Sequence, residues 1–372
     1  MEGLVTELDT VVRPAPPRRK SGSVRPPAKV LVTGADGYIG SVLAPTLMER
    51  GYDVVGLDTG YYRSGWLYHD GCDRPAIRNR DVRDLTVDDV EGFDAVVHLA
   101  ELSNDPLCEN DPQTTYAINH LGSVALAKLC RDAGVKRFVY ASSCSVYGTA
   151  GNGPKSEESP VNPLTAYADC KLGVERDVIG LTDDDFSPTF LRNATAFGAS
   201  PRMRFDLVLN NLAGVAFTTG RIVMTSDGSP WRPLVHIRDI SAAVVGVLEA
   251  PREAVAGEIF NVGDDTQNYR VQEIAQVVAR VFPGCELEFG SSAGDDRSYR
   301  VSFGKIRKHL PDFRCQWDLE RGARELRAIF ERIGMTEEVF LSPGHTRLKQ
   351  LKLLVSTGQL ASDFRWNAHA VS

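Results

Sequence analysis

No apolar run in this 372-residue chain approaches the ~20 residues that a membrane-spanning helix needs. The N-terminus has no apolar core of the kind that marks a secretory signal. The seven cysteines are odd in number and lack paired spacing, so they predict reduced thiols in a cytoplasmic protein. No cluster of histidine and cysteine has metal-ligand spacing, and no metal is expected. Basic residues do not dominate either: a net charge of −7 argues against the basic face of a nucleic-acid binder. There is no internal repeat. What remains, with 42% hydrophobic and 24% charged residues, is an ordinary globular composition, long enough for one large or two coupled domains.

Residues 1–27 differ from the rest. Arg13-Pro14-Ala15-Pro16-Pro17-Arg18-Arg19-Lys20 is rich in proline and arginine and has no periodicity, which predicts a flexible extension. Val30-Leu31-Val32-Thr33 then reads as a buried strand. It breaks into Gly34, Gly37 and Gly40, spaced G-x-x-G-x-x-G, and a helical pattern follows from Ser41 to Arg50. A strand, a glycine turn and a helix N-terminus together form an anion site, because backbone N–H groups and the helix dipole face the turn. Gly34 allows the turn, Gly37 lets a pyrophosphate approach, and Gly40 lets helix and strand pack closely. A second strand, Asp53-Val54-Val55-Gly56-Leu57, ends at Asp58, 18 residues after Gly40. A carboxylate there binds adenosine ribose hydroxyls and repels a 2′-phosphate, which favours NAD over NADP. Arg63 could still receive such a phosphate, so NADP stays open.

Strand and helix signals alternate from Val30 onward, the pattern of an α/β protein with a Rossmann-type doubly wound parallel sheet. Ala95–Leu99, Arg137–Ala141 and Thr189–Leu191 read as further strands, with a long helix from Pro112 to Ala133. Pro201 to Gly220 reads as helical. The alternation weakens after about residue 190, which predicts a smaller C-terminal α/β substrate lobe. The expected organisation is a dinucleotide-binding domain over 28–190 with a return segment at 235–265. The substrate lobe is assigned to 191–234 and 266–333, and a docked tail to 334–372.

The strand at 137–141 runs into Ser142-Ser143-Cys144-Ser145-Val146-Tyr147-Gly148, and Tyr167 and Lys171 follow at i and i+4 on one helical face. An ammonium beside a phenol stabilises phenolate and is expected to lower the tyrosine pKa. Such a tyrosine can exchange a proton with a sugar or alcohol hydroxyl near neutral pH. Ser143, 24 residues before Tyr167, could hydrogen-bond the same oxygen.

Taken together, these segments resemble the extended short-chain dehydrogenase/reductase family, in particular its nucleotide-sugar epimerases and dehydratases, over residues 28–330. The resemblance rests on Thr33 to Gly40, His98-Leu99-Ala100, Ser142-Ser143 with Val146-Tyr147-Gly148, and Tyr167 with Lys171. Arg202 to Asp206, Trp231 to Asp239, Phe260-Asn261-Val262-Gly263 and Asp296 to Arg300 extend it. It implies Ser143, Tyr167 and Lys171 as the catalytic set. For the NAD cofactor it implies Gly34, Gly37, Tyr38, Ile39, Gly40, Asp58, Asp81, Val82, Leu99 and Ala100, with Tyr167 and Lys171 shared. Asn210 or its neighbour Asn211, with Arg232 and Arg297, would hold the diphosphate of a nucleotide sugar, and Asn119 would buttress the site. Glu101, Ser143 and Cys144 complete the substrate contacts, Glu101 either facing substrate or capping the next helix. The family also implies a homodimer built from the helices carrying Asn119 and Tyr167.

Two departures narrow the expectation. Family dehydratases carry an Asp-Glu pair where this chain has Cys144-Ser145, so loss of water across C5 and C6 lacks its acid and base. Glu101 replaces a residue that is usually small. The sequence therefore predicts an NAD-dependent epimerase of a nucleotide-activated sugar, acting through a keto intermediate, with C4 the expected position. An NAD(P)H-dependent 4-ketoreductase is the alternative within the same chemistry. A non-catalytic binding protein on the same fold is the reading from another class. The intact Ser143, Tyr167 and Lys171 argue against it.

Overall fold

The computed structural model describes residues 28–103, 105–149, 153–292 and 298–367; the N-terminal extension and Arg297 fall outside them. Strands follow in the order β1 (Lys29–Thr33), β2 (Asp53–Asp58), β3 (Ile77–Asn79), β4 (Ala95–His98), β5 (Arg137–Ser143) and β6 (Ser187–Asn193). Next come β7 (Thr195–Phe197), β8 (Arg221–Val223), β9 (Trp231–His236), β10 (Ile259–Val262), β11 (Asn268–Arg270) and β12 (Glu286–Glu288). Seven of them form one parallel sheet in the order β10-β6-β5-β4-β1-β2-β3. Strand order reverses between β1 and β4, the point where ligands of doubly wound sheets bind. The glycine turn, Asp58, His98 and Ser143 all lie at the C-terminal ends of their strands, on that one edge.

The strands read as unbroken apolar runs because both sheet faces are covered. Val30, Val32, Val97 and Val139 pack on one side, and Leu31, Val96, Phe138 and Tyr140 on the other. The smaller lobe holds a three-stranded sheet, β11-β9-β7, and the β12–β8 pair. Its core joins Leu209 and Ala213 of helix Val208–Thr219, Ile274 and Val278 of Val271–Val281, and Leu326 and Phe330 of Leu319–Ile333. Strand β10 then returns to the outer edge of the large sheet beside β6.

Two local departures matter for the site. The helix expected from Pro201 begins only at Val208, because residues 198–206 are committed to contacts with the glycine turn. The long helix starting at Pro112 widens into a π-helical stretch, Tyr116–Gly122, before continuing as Ser123–Asp132. Asn119 lies in this stretch, fully buried. It accepts the Leu102 N–H and donates to the Leu102 carbonyl, both at 2.8 Å.

Candidate active site

The glycine turn is close-packed. Gly34 has φ +71°, and a Cβ there would lie 2.9 Å from the Ala100 nitrogen. A Cβ on Gly40 would lie 2.2 Å from the Gly34 carbonyl oxygen. A Cβ on Gly37 would meet only the Gly34 carbonyl, at 3.1 Å, so the turn stays open on its cleft side. Its other side is stapled to the smaller lobe. Tyr38 donates to the Gly198 carbonyl (2.8 Å), Ser200 donates to the Tyr38 carbonyl (2.8 Å), and Arg202 pairs with Asp36 (2.5 Å). The turn therefore keeps its shape without a ligand.

A cleft runs from this turn across the sheet edge. Gly34, Gly37, Tyr38, Ile39, Gly40, Asp58, Asp81, Val82, Leu99 and Ala100 all line it. Asp58 accepts the Gly60 N–H (2.7 Å) and the Asp36 N–H (3.1 Å). Burial raises its carboxyl pKa, and these donors pull the other way. Asp81 closes the far end, paired with Arg83 at 2.6 Å. Arg63 is exposed, and Gly60 packs close to its side chain. The cradle suits a dinucleotide: a turn that only glycine fits, with the half-buried Asp58 carboxylate beside it.

At the other end, Lys171 lies beneath Tyr167, its Nζ 5.5 Å from that ring's centre and 4.7 Å from the ring centre of Tyr140. Nζ donates to the Ala141 carbonyl (2.5 Å) and pairs with Glu101 Oε2 (2.5 Å). The other carboxylate oxygen of Glu101 accepts from Tyr140 (2.5 Å) and Ser123 (3.2 Å). Because Ser123 gives its proton to Glu101, it must accept from His98 Nε2 at 2.7 Å. His98 Nδ1 then accepts from Thr33 at 2.7 Å. Burial holds His98 neutral, its pKa lowered to about 3. A directed chain of donors thus ends on the Glu101 carboxylate.

This arrangement changes the electrostatics expected from sequence. Burial alone would pull the Lys171 ammonium down, but Glu101 and Tyr167 outweigh it and its pKa is raised. The Tyr167 pKa is raised rather than lowered. Burial opposes its ionisation, Lys171 favours it, and Glu101 and Asp105 cancel part of that help. Glu101 itself neither caps a helix nor offers a free carboxylate to a substrate. With its side chain 3% exposed, it is the counter-ion of Lys171. The sequence could have flagged it only through the oddity of a charge after His98-Leu99-Ala100.

The profile of the NAD dependent epimerase/dehydratase family matches residues 30–263. The chain belongs to this family. The UDP-glucose 4-epimerase of Mycolicibacterium smegmatis is 30% identical over 76% of this chain and 92% of that protein. The Bacillus subtilis UDP-glucose 4-epimerase is 28% identical over 80% and 94%. Among solved structures, MoeE5 in complex with UDP-glucuronic acid and NAD superposes with TM-score 0.70 and 27% identity, covering 82% of this chain and 99% of that one. DesIV, a dTDP-glucose 4,6-dehydratase from Streptomyces venezuelae with NAD bound, gives 0.72 and 25% over 84% and 100%. NAD is the cofactor of the family, and the glycine cradle fits it.

Within this epimerase/dehydratase frame, several predicted substrate contacts need revision. Cys144 is 1% exposed and donates to the Arg192 carbonyl at 3.1 Å, and burial pushes its thiol pKa up. It packs in the core and is not among the residues that line this cleft. Asn210 is fully buried, its Oδ1 accepting from Gly198 (3.0 Å) and its Nδ2 donating to Tyr38 and to the Arg204 carbonyl (3.1 Å each). It braces the glycine turn, leaving no amide proton for a diphosphate. Ser143 remains half-buried at the end of β5, its Oγ accepting the Ser145 N–H at 3.1 Å. Arg232 sits on β9, next to Trp231, whose N–H donates to Ser298 at 3.0 Å. The segment that follows Arg297 therefore reaches the Arg232 strand, although Arg297 lies outside the described residues. Residues not singled out as ligand contacts line the cleft as well, Arg204 and Arg347 among them.

Proposed function

We propose that this protein is an NAD-dependent epimerase of a nucleotide-diphosphate sugar, inverting one hydroxyl-bearing carbon, C4 by preference, through a keto intermediate. The observation that carries the reading is the neighbourhood of Tyr167 and Lys171. They adjoin Glu101, which lines the same cleft as the glycine cradle and Asp58. When bound, NAD supplies the oxidising and reducing equivalents for the sugar carbon. Tyr167 takes the proton of the sugar hydroxyl and returns it to the ketone oxygen. Ser143 hydrogen-bonds that oxygen, and Lys171 stabilises the phenolate. Arg232 and Arg297 are assigned to the diphosphate, for which a planar guanidinium fork is suited.

The relatives named UDP-glucose 4-epimerase support a uridine-linked hexose as substrate. Dehydration is disfavoured because Cys144 is buried in the core and Ser145 Oγ is buried without a partner among the described residues, so neither acid nor base stands where dehydration needs them. We also assign a homodimer and a cytoplasmic setting. Among the described residues, no helix is long and apolar enough to cross a membrane. Helices Ser123–Asp132 and Ala166–Ile179 pack side by side, and Leu121 (63% exposed) and Ile179 (37%) present apolar surface there. Denaturing the purified protein and identifying the released nucleotide, then assaying a panel of UDP- and dTDP-sugars without added reductant, tests the proposal. Bound NAD and inversion without reductant support it; an empty site with NADPH-dependent turnover makes the protein a ketoreductase.

A further inference from the structure

Residues 347–367 pack on the large domain, around the adenosine end of the cleft, while His345 just before them reaches the smaller lobe, its carbonyl accepting the Phe205 N–H (2.9 Å). Tyr61 donates to the Phe364 carbonyl (2.6 Å), Trp366 Nε1 to the Thr59 carbonyl (2.7 Å), and Gln350 Nε2 to the Tyr61 carbonyl (3.1 Å). Arg83 donates to the Asp363 carbonyl (2.8 Å). These contacts fix helix Arg347–Ser356, and its first residue turns into the cleft.

Arg347 is only 3% exposed, its guanidinium stacked 3.8 Å from the centre of the Tyr62 ring. Among the described residues, its Nη1 is buried with no hydrogen-bond partner. Arg204, also lining the cleft and 7% exposed, is already engaged by Asp206 at 2.9 Å. A buried guanidinium with an idle donor is costly unless a charge partner arrives. Burial lowers its pKa to about 10, and Arg204 pushes in the same direction. Asp58 and Asp206 act on Arg347 through space, but among the described residues no carboxylate forms an ion pair with it, so its guanidinium faces the cleft with a donor to spare.

We infer that Arg347, from a C-terminal tail beyond the stretch matched by the family profile, is a pyrophosphate-binding residue of the NAD site, and that the tail is a strap over the cofactor. The inference rests on the NAD reading of the cleft. The pyrophosphate is the dianion that faces a glycine turn, and a guanidinium opposite it completes a two-sided clamp. Strapped this way, NAD dissociates slowly, as suits an enzyme that never exchanges it during turnover.

The test uses full-length protein stripped of nucleotide, titrated calorimetrically with NAD, ADP and adenosine. Arg347→Met, which keeps the bulk over Tyr62, should weaken NAD and ADP roughly 10- to 100-fold and leave adenosine unchanged. Arg347→Lys should recover part of the loss. The melting temperature of unliganded Arg347→Met should stay level or rise, because an unpaired buried charge is gone. Equal weakening of adenosine, or unchanged NAD affinity in a folded variant, overturns the inference. Wild-type protein that binds no NAD would instead overturn the reading of the cleft itself.

Discussion

Glu101 Oε2 lies 2.5 Å from Lys171 Nζ, so the lysine beneath Tyr167 already carries a buried counter-ion. Removing that carboxylate should have two separable effects. In Glu101→Gln, Lys171 acts on Tyr167 with less opposition, that of Asp105 remaining, and the tyrosine pKa falls. The ascending limb of the kcat–pH profile, which reports phenolate formation, should therefore move to lower pH. Stability should also drop, by about 3–5 kcal/mol, because a buried ammonium loses its partner. An unmoved limb in a folded variant would show that Glu101 does not govern Tyr167.

Tyr167→Phe should keep NAD affinity within a factor of about two while turnover falls by roughly 10²–10⁴, the usual loss of a positioned acid/base. Retained turnover would assign the proton transfer elsewhere.

Asp58→Ser should narrow the preference for NAD over NADP, since the carboxylate both accepts from the ribose and repels a phosphate. Asp58 also holds the Asp36 and Gly60 N–H groups, so a cost in stability of about 1–3 kcal/mol accompanies the change. Measured affinities for both cofactors, set beside the melting temperature, separate the two effects.

His345 is 4% exposed, its Nδ1 unpartnered among the described residues, and burial lowers its pKa from 6.5 to about 4. Below pH 6.5 the unfolded chain takes up this proton before the folded one does, so the folded state loses stability as pH falls from about 6.5 to about 4. At pH 5 the loss is about 2 kcal/mol. Urea unfolding of His345→Phe at pH 7 and pH 5 should show a smaller pH difference than wild type. His98 would account for the remainder. An identical difference in the two proteins would remove His345 as a cause.

Much of the fold was legible because apolar strand runs and glycine spacing are local signals. Val30–Thr33, the turn and Asp58 fix the cradle within 30 residues, and of the twelve cofactor positions expected, ten line the cleft, Tyr167 and Lys171 standing behind Glu101 instead. Side-chain direction at strand ends was not legible. Cys144 follows Ser143 directly, yet lies in the core while Ser143 stays partly exposed. Asn210 looked like a ligand residue because its type matched, but an amide fixes backbone as readily as it fixes phosphate. Partners distant in sequence were hidden altogether. Nothing near Lys171 announces Glu101, 70 positions earlier, and nothing in Arg347 announces Tyr62. Short strands such as Ile77–Asn79 exist through pairing with β2 and carry no periodicity of their own.

The most direct measurement follows the label of a UDP-hexose deuterated at the inverted carbon. The account predicts an epimer that keeps the deuterium at that carbon, formed without added nucleotide and without deuterium reaching solvent or free NADH. Label appearing in released cofactor, or product forming only when NADPH is supplied, would contradict it.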